Sequence, residues 1–360
     1  MSEVKDAVTR RATVLVVGVI ALQLLFVASF VGALHEPRLK DVPFGVVASP
    51  QPLAERTANR LDELPGSPLV PRVLPDEEAA REQIMNRDVD GALLVSPTGT
   101  TDTLLVATGG GRTLATALGT LTGALGEAQG RTVRTVDVAP VSRHDFNSLS
   151  SFYVVVGWCV GAYLCASILA ISAGARPANP TRAATRLGTM TLVSFVGGLG
   201  GALIVGPILG AVPGSVWALW GLGALTVFAV GAITPALQEL FGITGVGLAI
   251  LLIVIAGNPS AGGALPLPML PPFWQAIGPA LPPGAGTWAA RSISYFDGND
   301  MASSLSVLSV LSVLSVLSAW AVGGVLVTLL AAMRRHRRAA EPEPAGGGSG
   351  GAAGRAGSGA

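Results

Sequence analysis

The chain has two cysteines, three histidines and two lysines in 360 residues, and only 12% of its residues are charged. Each shortage excludes something. Cys159 and Cys165 are six apart in one apolar run. On a helix that is about 9 Å along the axis, too far for a disulfide. The polar block of the chain has no cysteine, so its fold rests on packing alone. With His35, His144 and His336 scattered, no metal-spaced His/Cys cluster forms. His35 and His144, beside Glu36 and Asp145, read as solvated residues flanking the polar block. There is no serine-hydrolase elbow, and the glycine-rich run at Gly109–Gly119 lacks the lysine of a phosphate loop, so it reads as a flexible turn and helix start. A net charge of +1 excludes the concentrated basic face that nucleic acid requires. No cofactor and no enzymatic machinery is expected.

Acid and base are missing from six long stretches: Thr13–Leu34, Phe152–Ala173, Gly188–Leu209, Ser215–Ile233, Leu240–Gly257 and Ser303–Met333 contain no Asp, Glu, Lys or Arg. A membrane-spanning helix needs about 20 apolar residues. The expectation is a polytopic α-helical membrane protein with six transmembrane helices. Fifteen of the 22 acids lie in His35–Ser150, which reads as an inserted extracytoplasmic α/β domain. The short polar segments are basic: Lys5, Arg10 and Arg11; Arg176, Arg182 and Arg186; Arg334, Arg335, Arg337 and Arg338. The positive-inside bias makes all three cytoplasmic, and six crossings put them on one side, with both termini cytoplasmic. The resulting plan is a lead at 1–12, a first span at 13–34, the α/β domain at 35–150, a five-helix membrane domain at 151–333 and a disordered cytoplasmic tail at 334–360.

Within the polar block, apolar runs at Val42–Ala48, Leu69–Leu74, Gly91–Val95, Thr103–Ala107 and Thr132–Val138 read as strands. Helical spacing marks Pro52–Leu64, Asp76–Asn86 and Thr113–Gln129. That order suggests a mixed sheet. Pro235 reads as the start of a turn after the fourth span. Segment 258–300, rich in proline and aromatics, reads as short external helices lying on or dipping into the outer leaflet and supported there by protein. Four Ser-Val-Leu copies from Ser306 to Leu317 wind around a helix and make no polar stripe.

Two runs carry a resemblance. One is Asn258-Pro259-Ser260-Ala261-Gly262-Gly263. The other begins Leu270-Pro271-Pro272-Phe273-Trp274, passes through Leu281-Pro282-Pro283-Gly284 and ends in Arg291-Ser292-Ile293-Ser294-Tyr295-Phe296-Asp297-Gly298. With the one-plus-five helix layout they resemble ABC-2-type exporter permeases, in particular the actinobacterial YhgE/phage-infection-protein-like group. The resemblance implies a bacterial plasma-membrane half-permease that dimerises with itself or a related chain. It would export an amphipathic or lipid-like substrate, using ATP hydrolysed by a separate ABC ATPase docked at Arg176, Arg182 and Arg186. The alternative is a non-transporting envelope scaffold or receptor whose outer domain binds cell-surface, secretion or phage components.

Overall fold

The structure, a computed structural model, describes residues 10–174, 179–242, 244–298 and 304–340. The lead before residue 10, Arg176 and the tail beyond Ala340 lie outside these residues, as do the Ser-Val-Leu side chains up to residue 313.

After helix α1 (Arg10–Leu34) the chain forms β1 (Val42–Ala48), α2 (Gln51–Asp62), β2 (Leu69–Val73), α3 (Glu77–Met85), β3 (Gly91–Val95), β4 (Thr101–Val106), α4 (Thr108–Glu127) and β5 (Thr132–Asp137). The five strands run in the order β2-β1-β3-β4-β5, all adjacent pairs parallel except the β3–β4 hairpin. Right-handed crossovers dictate where the helices go. The chain leaves β1 for β2 on one side and then crosses back to β3, so α2 and α3 take opposite faces. β4 runs against β3, which returns α4 to the face of α2. The cores agree: Val42, Phe44 and Val46 pack with Ala54, Leu61, Leu114 and Leu118, whereas Ala92 and Leu105 pack with Ala80 and Ile84. At the far end of the hairpin, Arg131 donates to both carboxylate oxygens of buried Asp102, at 2.7 and 2.6 Å. Asp76 caps α3 by accepting from the Ala79 amide at 2.8 Å.

The helical part comprises α5 (Ser150–Ala173), α6 (Pro180–Leu203), α7 (Val216–Phe241), α8 (Thr244–Ser260), α9 (Pro272–Ile277), α10 (Pro282–Tyr295) and α11 (Ser304–Ala340). Among the described residues, five helices are long and apolar enough to cross a membrane: Ala12–Leu34, Ser150–Ser172, Pro180–Ile208, Val216–Phe241 and Leu314–Arg338. The described residues are thus mostly helical, with five such helices and one small mixed sheet. The sixth apolar helix, Thr244–Ser260, is shorter and winds into a π-helix over Leu251–Gly257.

Two expectations about helix boundaries need correction. Proline 235 does not end the fourth apolar helix, which continues to Phe241 and displaces the start of the next from Leu240 to Thr244. A proline removes one backbone hydrogen bond. Here Pro235 is buried between Thr234 and Ala236, which are also buried, and packing outweighs that loss. The third long helix begins at Pro180, not Gly188, because Asn179 caps it through the Arg182 amide at 2.9 Å. Within the described part of segment 258–300, α9 is partly exposed, while the following helix dips into the bundle. That helix, α10, is buried along almost its whole length against α5, α7 and α11. Small residues permit this. A Cβ on Gly284 would sit 2.1 Å from the Gly278 carbonyl oxygen, and one on Gly286 would sit 2.7 Å from Val155.

α7 is the central helix of the bundle and touches α5, α6, α8, α10 and α11. It meets α6 backbone to backbone, where a Cβ on Gly198 would lie 2.5 Å from the Ala224 amide nitrogen. Backbone cannot move aside there. Gly198→Ala should therefore cost about 2 kcal/mol of unfolding free energy in mild detergent. Gly188→Ala, whose Cβ meets nothing within 4 Å, should be neutral or gain up to about 1 kcal/mol from helix propensity.

Candidate functional site

The α/β unit meets the helix bundle at a buried polar joint, and α10 supplies most of it. Arg291, 3% exposed, donates from Nη1 to the Gly262 carbonyl at 2.7 Å and from Nη2 to the Gly263 and Ser148 carbonyls at 2.9 and 3.1 Å. Three carbonyls from two distant segments thus converge on one cation. Gly262 can turn its carbonyl inward because it adopts φ +71°. Gly263 is held against the Phe152 ring, which leaves no room for a Cβ. Burial, with the nearby Asp145 charge opposing it, pushes the Arg291 guanidinium down to about 10, so it remains a cation at neutral pH.

One turn further along α10, the Tyr295 hydroxyl donates to Asp145 Oδ2 at 2.6 Å. The other oxygen, Oδ1, accepts from the Ser150 amide at 2.8 Å and so caps α5. Burial and that hydrogen bond push the phenol well above its ordinary range. Asp145 is therefore not the solvated residue expected from its place beside His144. It is 1% exposed and ties the start of α5 to the end of α10. His144 and His35 are exposed, as expected.

From the α/β side, Arg87 at the end of α3 lies over the Trp288 ring, 3.3 Å from its centroid, and 4.9 Å from the Phe296 ring. Its Nη1 donates to the Trp288 carbonyl at 2.9 Å and the Ser292 hydroxyl at 2.8 Å. Burial and repulsion from Arg291 bring it down to about 9, while Asp90 acts in the opposite sense. Burial holds Asp90 up at about 6 even though Arg87 favours its ionised form. Gly109 and Gly110 complete the contact: a Cβ on Gly109 would fall 2.5 Å from the Tyr295 ring, and one on Gly110 would fall 3.2 Å from Phe296. The glycine run is a packing surface for two aromatics, where the sequence suggested a flexible turn.

The residues of the two quoted runs therefore divide. Gly262, Gly263, Arg291, Tyr295 and Phe296 lie in the joint itself. Pro259, Pro282 and Pro283 are buried next to it, Pro283 packing on Gly257, and Asn258 has a buried side-chain oxygen with no hydrogen-bond partner among the described residues. Gly298 closes α10 by donating its amide to the Ser292 carbonyl at 3.1 Å. Pro271 begins the short helix α9, and Phe273 on it is 64% exposed, outside the joint. Arg87, Asp145, Ser148 and Trp288 were missed, because nothing in the local sequence marks them as partners of residues some 150 to 200 positions away.

The opposite end of the bundle carries the remaining candidates. Arg182 is exposed in the first turn of α6. Arg186, 8% exposed, bonds to the Gly174 carbonyl and interacts with the charge of Glu239. Glu239 is buried in α7 and forms an ion pair with Arg335 of α11. Gln238 beside it is 0% exposed and has no hydrogen-bond partner on either amide atom among the described residues. A cleft of about 200 Å³ opens elsewhere, between α2 and α4, with Leu61, Leu93 and Leu125 in its wall and Arg60 and Arg131 beside them.

No family model matches the chain, and no curated protein or solved structure matches it significantly.

The joint makes two quantitative predictions. Arg291→Met strands three carbonyls and should cost about 3 kcal/mol in detergent unfolding. Arg291→Lys should restore less than half, since an ammonium cannot reproduce the planar fork. For Asp90 the folded state retains a proton between about pH 4 and 6 that the unfolded state releases, so its contribution to stability is greatest below that window and is lost as pH rises through it. Measured against wild type, Asp90→Asn should gain roughly 1–3 kcal/mol between pH 4 and pH 7; a flat difference would refute the assignment.

Proposed function

We propose that the protein is the membrane-embedded permease subunit of an ABC-2-type exporter in a bacterial plasma membrane. It spans the bilayer six times, with both termini cytoplasmic and the α/β unit outside. It works as a homodimer or heterodimer and takes its energy from a separate ABC ATPase; no chemistry is assigned to this chain. The cargo is amphipathic or lipid-like.

The observation that carries the reading is that the helix bundle is pinned at both ends by discrete buried polar clusters. At the α/β end stand Arg291, Arg87 and the Asp145–Tyr295 pair. At the other end stand Arg186, Glu239 and Arg335. Between them the helices touch through small residues such as Gly198, Gly223 and Gly324. Such contacts let backbones approach closely without interlocking side chains. A bundle that must open alternately at two faces needs ties of this kind, strong but few.

Orientation has separate support. The helices alternate in direction, so Arg182, Arg186, Arg334, Arg335, Arg337 and Arg338 gather at the end away from the sheet. Under the positive-inside bias that end is cytoplasmic. The 17-residue helix Thr244–Ser260 lies at the lower limit of a spanning length, and Ser29 of α1 bonds to its Ile255 carbonyl. An amphipathic cargo accords with the apolar wall of the α2–α4 cleft and the Arg60 side chain beside it, Arg131 being paired with Asp102.

Two measurements test the proposal. A cysteine at exposed Thr100 should react with an impermeant maleimide in intact cells; reaction only after lysis would reverse the orientation. Arg182→Glu should leave insertion intact, abolish co-purification of the ATPase and abolish nucleotide-dependent efflux. If efflux never depends on this chain and no ATPase accompanies it, the scaffold reading replaces this one.

A further inference from the structure

A lateral groove of about 520 Å³ runs between α5 and α6 in the half of the bundle nearer the sheet. Its walls are apolar, and glycines create it. The Trp158 indole lies on Gly201, where a Cβ would come within 2.2 Å of its nitrogen, and donates to the Gly197 carbonyl at 3.1 Å. The ring is thereby fixed flat as a floor. Gly157 and Gly197 line the opening, and a Cβ on either would meet nothing within 4 Å. The groove is space that ordinary side chains could have filled.

Its upper end is capped by the neck that leads from β5 to α5. Ser142 donates its hydroxyl to the Gly210 carbonyl at 3.0 Å, and the His144 ring lies against Gly210, between the lining residues Leu209 and Ala211. Arg143 stands exposed between them and has no ion-pair partner among the described residues. The nearest acid in sequence, Asp145, is engaged by Tyr295 and the Ser150 amide. Tyr153, 62% exposed, borders the mouth, where an amphipathic ring marks the level of lipid headgroups.

We propose that this groove is a binding site for one anionic phospholipid of the outer leaflet, an acyl chain lying on Trp158 and the headgroup held by Arg143 and His144. Three physical points select that occupant. A cavity of ~150 Å³ takes up benzene, so a groove more than three times larger has room for much of an acyl chain. An empty apolar void would forfeit dispersion contacts along its whole lining. A transmembrane helix of a second copy would have to continue past the headgroup level, where the Ser142–Gly210 contact closes the groove, whereas a lipid chain begins there. The inference rests on the membrane placement proposed above and names one lipid class that the protein recognises.

The test uses the full chain in nanodiscs, without ATPase or nucleotide, so its result is independent of transport. Phosphatidylglycerol and phosphatidylcholine, each carrying a diazirine on one acyl chain, are photolysed in parallel and the adducts mapped by mass spectrometry. Adducts should concentrate on Tyr153, Val154 and Ile204, with phosphatidylglycerol favoured about threefold to fivefold, the scale of one interfacial arginine. The double variant Gly157→Leu/Gly197→Leu should abolish those adducts, while Gly323→Leu, whose Cβ is also unobstructed, should not. Arg143→Ala should keep the adducts and erase the headgroup preference. Adducts that survive the double variant, an absence of headgroup preference in wild type, or chain-to-chain cross-links through the groove would each overturn the proposal. Labelling of α1 without the groove would defeat this site alone, whereas no labelling of any helix would defeat the membrane placement itself.

Discussion

A buried guanidinium cannot shed its charge near neutral pH, so the protein must provide acceptors for it, and the positions of those acceptors become fixed. Arg291 imposes this constraint on the whole molecule. Its three carbonyl partners come from the segment after α8 and from the neck before α5, and its own helix lies among α5, α7 and α11. One side chain therefore fixes where two segments more than 110 residues apart must meet. Leaving any of those carbonyls unpaired would cost free energy comparable to a substantial fraction of net stability. The Asp145–Tyr295 hydrogen bond extends the same constraint by one turn, and the stacking of Arg87 on Trp288 connects it to the sheet.

Through this arrangement the α/β unit and the bundle are packed against each other as well as joined by a neck. Gly109 and Gly110 press directly on Tyr295 and Phe296, so the first turn of α4 and the last turn of α10 share a surface. A displacement of α10 would have to move both the sheet and the end of α8. In the exporter proposed above, such a link would let events in the α/β unit reach the bundle through rigid packing. At the other end, the ion pair of Glu239 with Arg335 fastens α7 to α11 with similar economy. The stretch between is held by glycine and alanine contacts whose strength lies in close approach.

Much of the architecture was legible in the chain. Each strand and helix of the α/β unit falls within a few residues of its hydrophobic pattern, since alternation and 3.6-residue spacing are local properties. Long apolar helices were equally plain, because their length is a direct response to the hydrocarbon thickness. Boundaries set by packing were not. Pro235 is a local signal for a stop, and burial among neighbouring helices overrides it. Segment 258–300 carried the signals of helices lying on or dipping into the outer leaflet; its small residues allow close burial, and only the neighbours decide where that permission is used. The same holds for the site. The quoted runs around Gly262 and Arg291 did mark the joint, while Arg87, Asp145 and Trp288 gave no sign of belonging to it.

By itself the sequence determined that six stretches without a single charge alternate with polar segments, and that one polar segment has the patterning of a small mixed sheet. Both follow from solvent and backbone geometry, which act residue by residue. Tertiary structure decided which polar groups would be buried together, because a lone cation or carboxylate is satisfied only by partners that the chain brings back from far away. It also decided where glycine leaves a groove and where it admits a neighbouring helix. A missing side chain records only that room was made, and the surrounding helices determine what occupies it.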